Sequence, residues 1–292
     1  MLIRRLIISA LIAIISFTQS TSLFAQGNSS LLWKISGKNL KAPSYLFGTI
    51  HLICENDYQH PDSLNHSFEQ TEQVYLELDM DDPNMMTEMQ EQMAMSNGQS
   101  LSDIMDTADY QVVNSFFKDS LGISLNFFNT TKPVLLSSMI IIKMMNGCKT
   151  ESYEMNFVKM AKEQQKEVLG LETVKEQMNI LELMPVKQQA DELLKSVKEY
   201  ASYKIYFQQL IDAYKAHDPD KIYQLSTEGE FASTARDNEI LINSRNKRWV
   251  AKIVKIVAEK PTFFAVGIGH LGGPQGVIAL LRKRGYSVEP VL

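Results

Sequence analysis

The sequence predicts an α/β fold, with a central, mostly parallel or mixed sheet flanked by helices and a largely helical insertion or cap at about 85–235. Two observations carry this reading. Short runs with strand character sit at both ends of the chain while the middle reads as helix. In addition, the apolar run Pro43-Ser-Tyr-Leu-Phe-Gly48-Thr-Ile-His51-Leu52 is echoed by Pro261-Thr-Phe-Phe-Ala-Val-Gly267-Ile-Gly-His270-Leu271. Each copy is a Pro-led strand that ends in Gly-x-x-His.

The N-terminus stands apart from the fold. Arg4 and Arg5 precede an apolar stretch from Leu6 to Phe17, then a polar segment, then Leu23-Phe24-Ala25. That is the layout of a secretory signal peptide, residues 1–25, with cleavage expected after Ala25. The stretch is shorter than the ~20 residues needed to span a bilayer, so an uncleaved anchor is the weaker alternative. The expected mature chain, 26–292, is exported to the periplasm or beyond the cell, without a stable membrane span.

Leu31 to Ser36 and Tyr45 to Phe47 flank the turn-rich Gly37-Lys38-Asn39 and form an expected antiparallel pair. In Val74 to Met80 the apolar residues share one strand face, and Tyr75, Glu77 and Asp79 share the other. Helices are expected at 85–96, 102–120, 134–146, 153–165, 174–184, 187–215 and 236–259. Thr173-x-x-Glu176 has the spacing of a capping box for the fifth of these. Val168 to Leu171, Phe263 to Val266 and Tyr286 to Val291 complete the strands. Pro274 and Gly285 bracket a last short helix. Seven Met residues between Met80 and Met105 read as adaptable packing, or as a groove for apolar substrate segments.

Composition limits the function. With 29 Lys+Arg against 34 Asp+Glu and a formal charge of −5, the chain lacks the basic surface that nucleic-acid binding needs. No nucleophile elbow, His-Glu-x-x-His helix, P-loop or dinucleotide fingerprint is present. Two cysteines, Cys54 and Cys148, either form one disulfide in an oxidising compartment or remain two buried thiols.

The candidate chemistry lies in the paired turns. In open α/β sheets ligands collect beyond the carboxyl ends of the strands, where both His51 and His270 are expected. Two imidazoles and an oxygen ligand make a metal site with a position left for water. Glu77 is the leading oxygen ligand or general base, with Asp79 and Glu172 as further candidates. Arg245 shares a helix stripe with Trp249, Ile253 and Ile256. It must therefore be paired, either with an acid such as Glu172 or with a substrate oxygen. Asn246 is its neighbour. His60, His66 and His217 read as surface or helix-end residues.

The chain resembles the TraB/GumN family, which is related to the Tiki metalloproteases and more distantly to haem-binding ChaN and erythromycin-esterase proteins. The carriers are Leu32-Trp33-Lys34-Ile35, Tyr45 to His51, Leu76-Glu77-Leu78-Asp79, Gly170-Leu171-Glu172-Thr173 with Gln177, Arg245-Asn246 with Trp249, and Val266 to Leu271. The closing Gly276, Leu281-Arg282 and Gly285 to Val288 also match. The resemblance implies a divalent-metal site with His51, Glu77 and His270 as ligands, and Arg245, Asn246 and Glu172 at recurrent positions. It also implies manganese or cobalt as the ion, with zinc compatible, and cleavage of a peptide or protein substrate. The expected function is thus an exported metal-dependent hydrolase. The alternatives are a non-catalytic peptide- or haem-binding protein using the same cleft, and metal-free esterase chemistry.

Overall fold

A computed structural model describes residues 29–292; the expected signal peptide lies outside the described residues. The strands are β1 (Leu32–Ser36), β2 (Ser44–Thr49), β3 (Ile53–Cys54), β4 (Gln73–Leu76), β5 (Thr150–Glu151), β6 (Glu167–Gly170), β7 (Thr262–Gly267) and β8 (Ser287–Pro290). The helices are α1 (Asp62–Glu69), α2 (Met85–Gln92), α3 (Leu101–Ile104), α4 (Thr107–Phe116), α5 (Pro133–Met144), α6 (Tyr153–Glu163) and α7 (Val174–Glu182). They continue with α8 (Val186–Lys198), α9 (Tyr200–Lys215), α10 (Pro219–Thr227), α11 (Ala235–Asn238), α12 (Ser244–Glu259) and α13 (Val277–Lys283).

The main sheet has six strands in the order β6-β4-β7-β2-β1-β8. Strands β6, β4, β7 and β2 are parallel neighbours, and β1 runs antiparallel to β2 and to β8. The sheet is therefore mixed, as the α/β reading expects. Every residue of β2 is buried, and all of β7 but its last, as suits parallel strands covered on both faces. The two Pro-led strands of the sequence echo are direct neighbours, paired from Tyr45↔Phe263 to Thr49↔Gly267. Both Gly-x-x-His turns thus leave the same edge side by side. The turns also touch: a Cβ on Gly48 would stand 2.8 Å from Leu271 Cδ1 and 3.1 Å from Ile268 Cγ1. Glycine there lets the second turn close over β2.

One face of the sheet packs aromatics tightly. Phe157 packs edge-on to Phe47 at 5.3 Å between ring centroids and tilted against Phe263 at 5.0 Å, and Phe68 lies 4.9 Å from Phe263. A second core joins Leu101, Val113, Phe117, Leu136, Ile140 and Leu193 within the helical middle. That middle is not one block. Within residues 150–171, β5 pairs with β3 in a separate two-stranded sheet, β6 joins the main sheet, and Tyr153, Phe157 and Val168 belong to the main core.

Several boundaries differ from the sequence reading. The expected helix 187–215 breaks at Glu199 (φ −107°, ψ 27°) into α8 and α9. The expected 102–120 divides into α3 and α4 and ends in a wider turn at Phe117–Leu121. Strand β4 stops at Leu76, so Glu77 opens the following loop. Cys54 and Cys148 form a disulfide spanning 94 residues, with Cα atoms 5.6 Å apart. It ties the segment after His51 to the end of α5.

A loop of that size removes much entropy from the unfolded chain. Cys54→Ser/Cys148→Ser is expected to lose about 2–4 kcal/mol in denaturant unfolding, and reduction of the parent should reproduce the loss. Equal stability of the parent and this variant would show that the bridge adds nothing.

Candidate functional site

Four neighbouring parallel strands each deliver a chemistry-bearing residue at the same edge. Glu172 follows β6, Glu77 follows β4, His270 follows β7, and His51 follows β2. The residues are scattered in sequence, and parallel pairing gathers them. Helix α12 crosses this edge and brings Arg245, Asn246 and Trp249 from one buried face.

Arg245 is the hub. Its Nε donates to Glu172 Oε1 (3.1 Å), and its Nη2 donates to Glu172 Oε1 and Glu77 Oε2 (both 2.6 Å). Its Nη1 donates to the Leu241 carbonyl (3.2 Å) and to His270 Nε2 (3.1 Å). The guanidinium also lies 4.5 Å from the Trp249 ring centre. A guanidinium has five N–H groups, and these contacts engage them all. Of the two roles open to Arg245, pairing with Glu172 is present, and no N–H is spare for a substrate oxygen. Trp249 Nε1 donates to the other Glu172 oxygen (3.2 Å), and Gln177 bridges Glu172 Oε1 (3.1 Å) and Glu77 Oε2 (3.4 Å).

Glu77 is buried, and its Oε1 accepts the Gly267 N–H at 2.8 Å. Burial alone would raise its pKa. The charge of His270, present only at the acid pH where Glu77 itself titrates, with those of Arg245 and His51 and the Gly267 N–H, more than offsets that, and the value falls to about 2. Such a carboxylate is a firm anion and a weak base.

Both imidazoles are held by an oxygen on Nδ1. Asn246 Nδ2 donates to the His270 carbonyl (3.2 Å) and to the Gln275 carbonyl (2.8 Å), which turns its Oδ1 toward His270 Nδ1 at 2.7 Å. His270 Nδ1 therefore carries the proton, and its Nε2 presents a lone pair. Burial lowers the His270 pKa to about 3, keeping the ring neutral. His51 Nδ1 lies 2.9 Å from Glu154 Oε1, which also accepts from Thr49 Oγ1 at 2.7 Å, while Ser152 Oγ donates to the other oxygen at 3.1 Å. The Glu154 hydrogen bond raises the His51 pKa to about 9, although the ring itself is largely exposed. Glu154 escaped the sequence reading. It opens helix α6, where an acid is ordinary, and only the tertiary fold brings it beneath His51.

Asp79 does not join this group. Because β4 stops early, the loop turns it into a cavity of about 300 Å³ with Asp82, Glu88, Glu176 and Lys252, which Glu172 also lines. Burial and the nearby Asp81 raise its pKa to about 6. The rings of His60, His66 and His217 hydrogen-bond to Asn65, Gln70 and Gln59 respectively, away from this group.

The donor chemistry fits a divalent ion. His270 Nε2 and Glu77 Oε1 stand 4.0 Å apart, one a lone pair and the other an anion. His51 and Glu77 line a common cavity of about 280 Å³, and oxygen partners on both Nδ1 atoms are the usual support of metal-binding histidines. Among the described residues, no three His, Cys, Asp or Glu side chains are drawn tightly around a single point. Arg245 Nη1 holds His270 Nε2, and it must yield that lone pair for an ion to take it.

Comparison with known proteins places these features in context. The profile of the TraB/PrgY/gumN family matches residues 31–290. Metalloprotease TIKI2 of Danio rerio is 24% identical over a 315-residue alignment that covers 89% of this chain and 60% of that protein. Metalloprotease TIKI1 of Homo sapiens is 26% identical over 316 aligned residues, covering 89% of this chain and 61% of that protein. The chain thus spans about three fifths of the length of these relatives. No solved structure matches it.

Arg245→Ala would leave Glu77 and Glu172 buried without their cation, an expected loss of about 3–5 kcal/mol in chemical denaturation. Arg245→Lys should recover little, because an ammonium cannot repeat the fork. The folded Glu77 pKa of about 2 lies below its ordinary 4.5. The unfolded chain then binds the proton more tightly, so the stability held by Glu77 is complete above about pH 4.5 and drains as pH falls toward 2. Glu77→Gln should flatten that acid limb; an unchanged limb would place the sensitivity elsewhere.

Proposed function

The chain belongs to the TraB/PrgY/gumN family, and from that premise we propose that it is an exported, metal-dependent hydrolase of peptide or amide bonds. The observation that carries the reading is the set of two imidazoles, each held through Nδ1, beside a carboxylate kept ionised. The metalloprotease relatives support a protein or peptide substrate. The Cys54–Cys148 disulfide supports an oxidising compartment, periplasmic or extracellular. Among the described residues, no helix is long and apolar enough to cross a membrane.

His51 Nε2, His270 Nε2 and Glu77 are the proposed ligands. When bound, a divalent ion supplies Lewis acidity for the scissile carbonyl and acidifies a water. Manganese or cobalt is the proposed ion, with zinc compatible. The chain's own residues prepare the place. Asn246 keeps the His270 proton on Nδ1, and Glu154 does the same for His51. Glu77, too acidic to take a proton from water near neutrality, serves as ligand rather than general base. Arg245 and Gln177 hold Glu77 and Glu172 against their mutual repulsion. Arg245 is a positioning residue here.

Elemental mass spectrometry of residues 26–292, dialysed against manganese, cobalt and zinc, should find about one ion per chain in the parent. His51→Ala/His270→Ala should hold little while remaining folded. Peptide hydrolysis should stop with chelator and return with the metal. Binding must displace a proton from His51, whose pKa lies near 9, so affinity should rise with pH up to that value. Glu154→Gln should weaken binding by roughly 10–100-fold. Hydrolysis that survives chelation, or equal metal in the double variant, would overturn the reading.

A further inference from the structure

A cavity of about 470 Å³ opens from the site toward the helical middle, within the size range of ligand pockets (~300–1,000 Å³). His51, Glu77, Gln177 and Arg245 form its inner end. Its walls come from three helical segments: Met89 and Met93 at and just beyond α2, Leu135 and Met139 on α5, and Met178 and Leu181 on α7. The walls are fixed from outside. Buried Lys132 pairs with Glu182 at 3.2 Å, and Gln189 Nε2 donates to the Leu181 and Met184 carbonyls, both at 2.9 Å. Helices α5 and α7 are thereby tied together at the cavity's edge.

We propose that this cavity is the specificity pocket of the enzyme, receiving bulky apolar side chains of a peptide beside the bond to be cleaved; the inference rests on the hydrolase reading above. Three features support that occupant. The pocket is continuous with His51 and Glu77, so what fills it lies next to the reacting atoms. Outside the site's own His51, Glu77 and Arg245, its lining carries no charged group. A charged side chain entering it would shed water without gaining a counter-ion, which is costly. The only other polar lining is the Gln177 amide and the hydroxyls of Thr131 and Ser138, groups suited to a peptide backbone. The four methionines among the wall residues are flexible and polarizable, so the pocket adapts to several apolar shapes rather than selecting one.

The test has a cleavage arm and a binding arm. With metal-loaded parent and a positional peptide library, Leu, Met and Phe next to the cleaved bond should lie within a few-fold of one another. Ala should fall by roughly 10–200-fold in kcat/KM, and Asp and Lys should fall further. Met139→Glu and Met89→Glu alter residues that are only partly buried, and should shift the preference from Leu toward Lys. Met139→Gln, a neutral companion that adds no charge, should not. In the second arm, fluorescent N-acetyl peptide amides are titrated into the parent with chelator present, and Leu or Phe peptides should bind more tightly than Ser counterparts. Side-chain-independent cleavage and binding, or a Leu preference unmoved in folded Met139→Glu and Met89→Glu, would overturn the pocket. Side-chain-dependent binding with no cleavage of any peptide would leave the pocket standing and remove the hydrolase reading.

Discussion

The site depends on one buried guanidinium. Arg245 joins Glu172 after β6, Glu77 after β4 and His270 after β7, and so ties three strand ends to helix α12. Two carboxylates so close together and so well buried would repel each other and resist ionisation without a shared cation. Arg245 supplies that cation and spends its N–H groups doing so. The ring of Trp249 lies against both the guanidinium and His270, with centroids 4.4 Å apart for the two rings. A buried ion pair of this kind is weak evidence for stability by itself. Its consequence here is placement: Glu77 is held as an anion beside a neutral imidazole.

The same contact sets a limit on what the site can do as it stands. His270 Nε2 is aimed inward by Asn246 but accepts an N–H from Arg245. A cation arriving at that nitrogen competes with the guanidinium, and like charges make the two mutually exclusive at short range. The Leu241 carbonyl, one helical turn back, already accepts from the same Nη1, so that nitrogen keeps a partner if it swings away from His270. The exchange of that hydrogen bond for a ligand therefore releases one Nη1 N–H, which must find a new acceptor, while the other stays on Leu241.

Much of this was legible in the sequence. The paired Gly-x-x-His turns, the acid after β4 and the core-facing Arg245 all follow from local pattern, and the parallel pairing of β2 with β7 turns the repeat into adjacency. Other features were beyond pattern. Alternation extends through Leu78, which is buried, so nothing local marks the end of β4 at Leu76 or the turning away of Asp79. Glu154 and His51 are 103 residues apart, and an acid in the first turn of a helix carries no signal of a distant partner. The break at Glu199 lies between two helices of matching character, where no proline or glycine announces it. The spacing of Cys54 and Cys148 was equally silent about their distance.

The helical middle is held together by a core of its own. Because Leu101, Phe117, Leu136, Ile140 and Leu193 pack among themselves, α5 and α8 hold their shape without leaning on the sheet, and their neighbours can afford an unfilled space over the strand ends. A helix pair packed flat on the sheet edge would bury its methionines and close that space. Instead the disulfide anchors the end of α5 to the segment after His51, and β6 with α6 anchors the chain between α5 and α7 to the main core. The sheet fixes where the polar groups stand. The separately cored helices, pinned at these points, fix how far away the apolar wall stands from them, and that distance decides the size of the cavity over the strand ends.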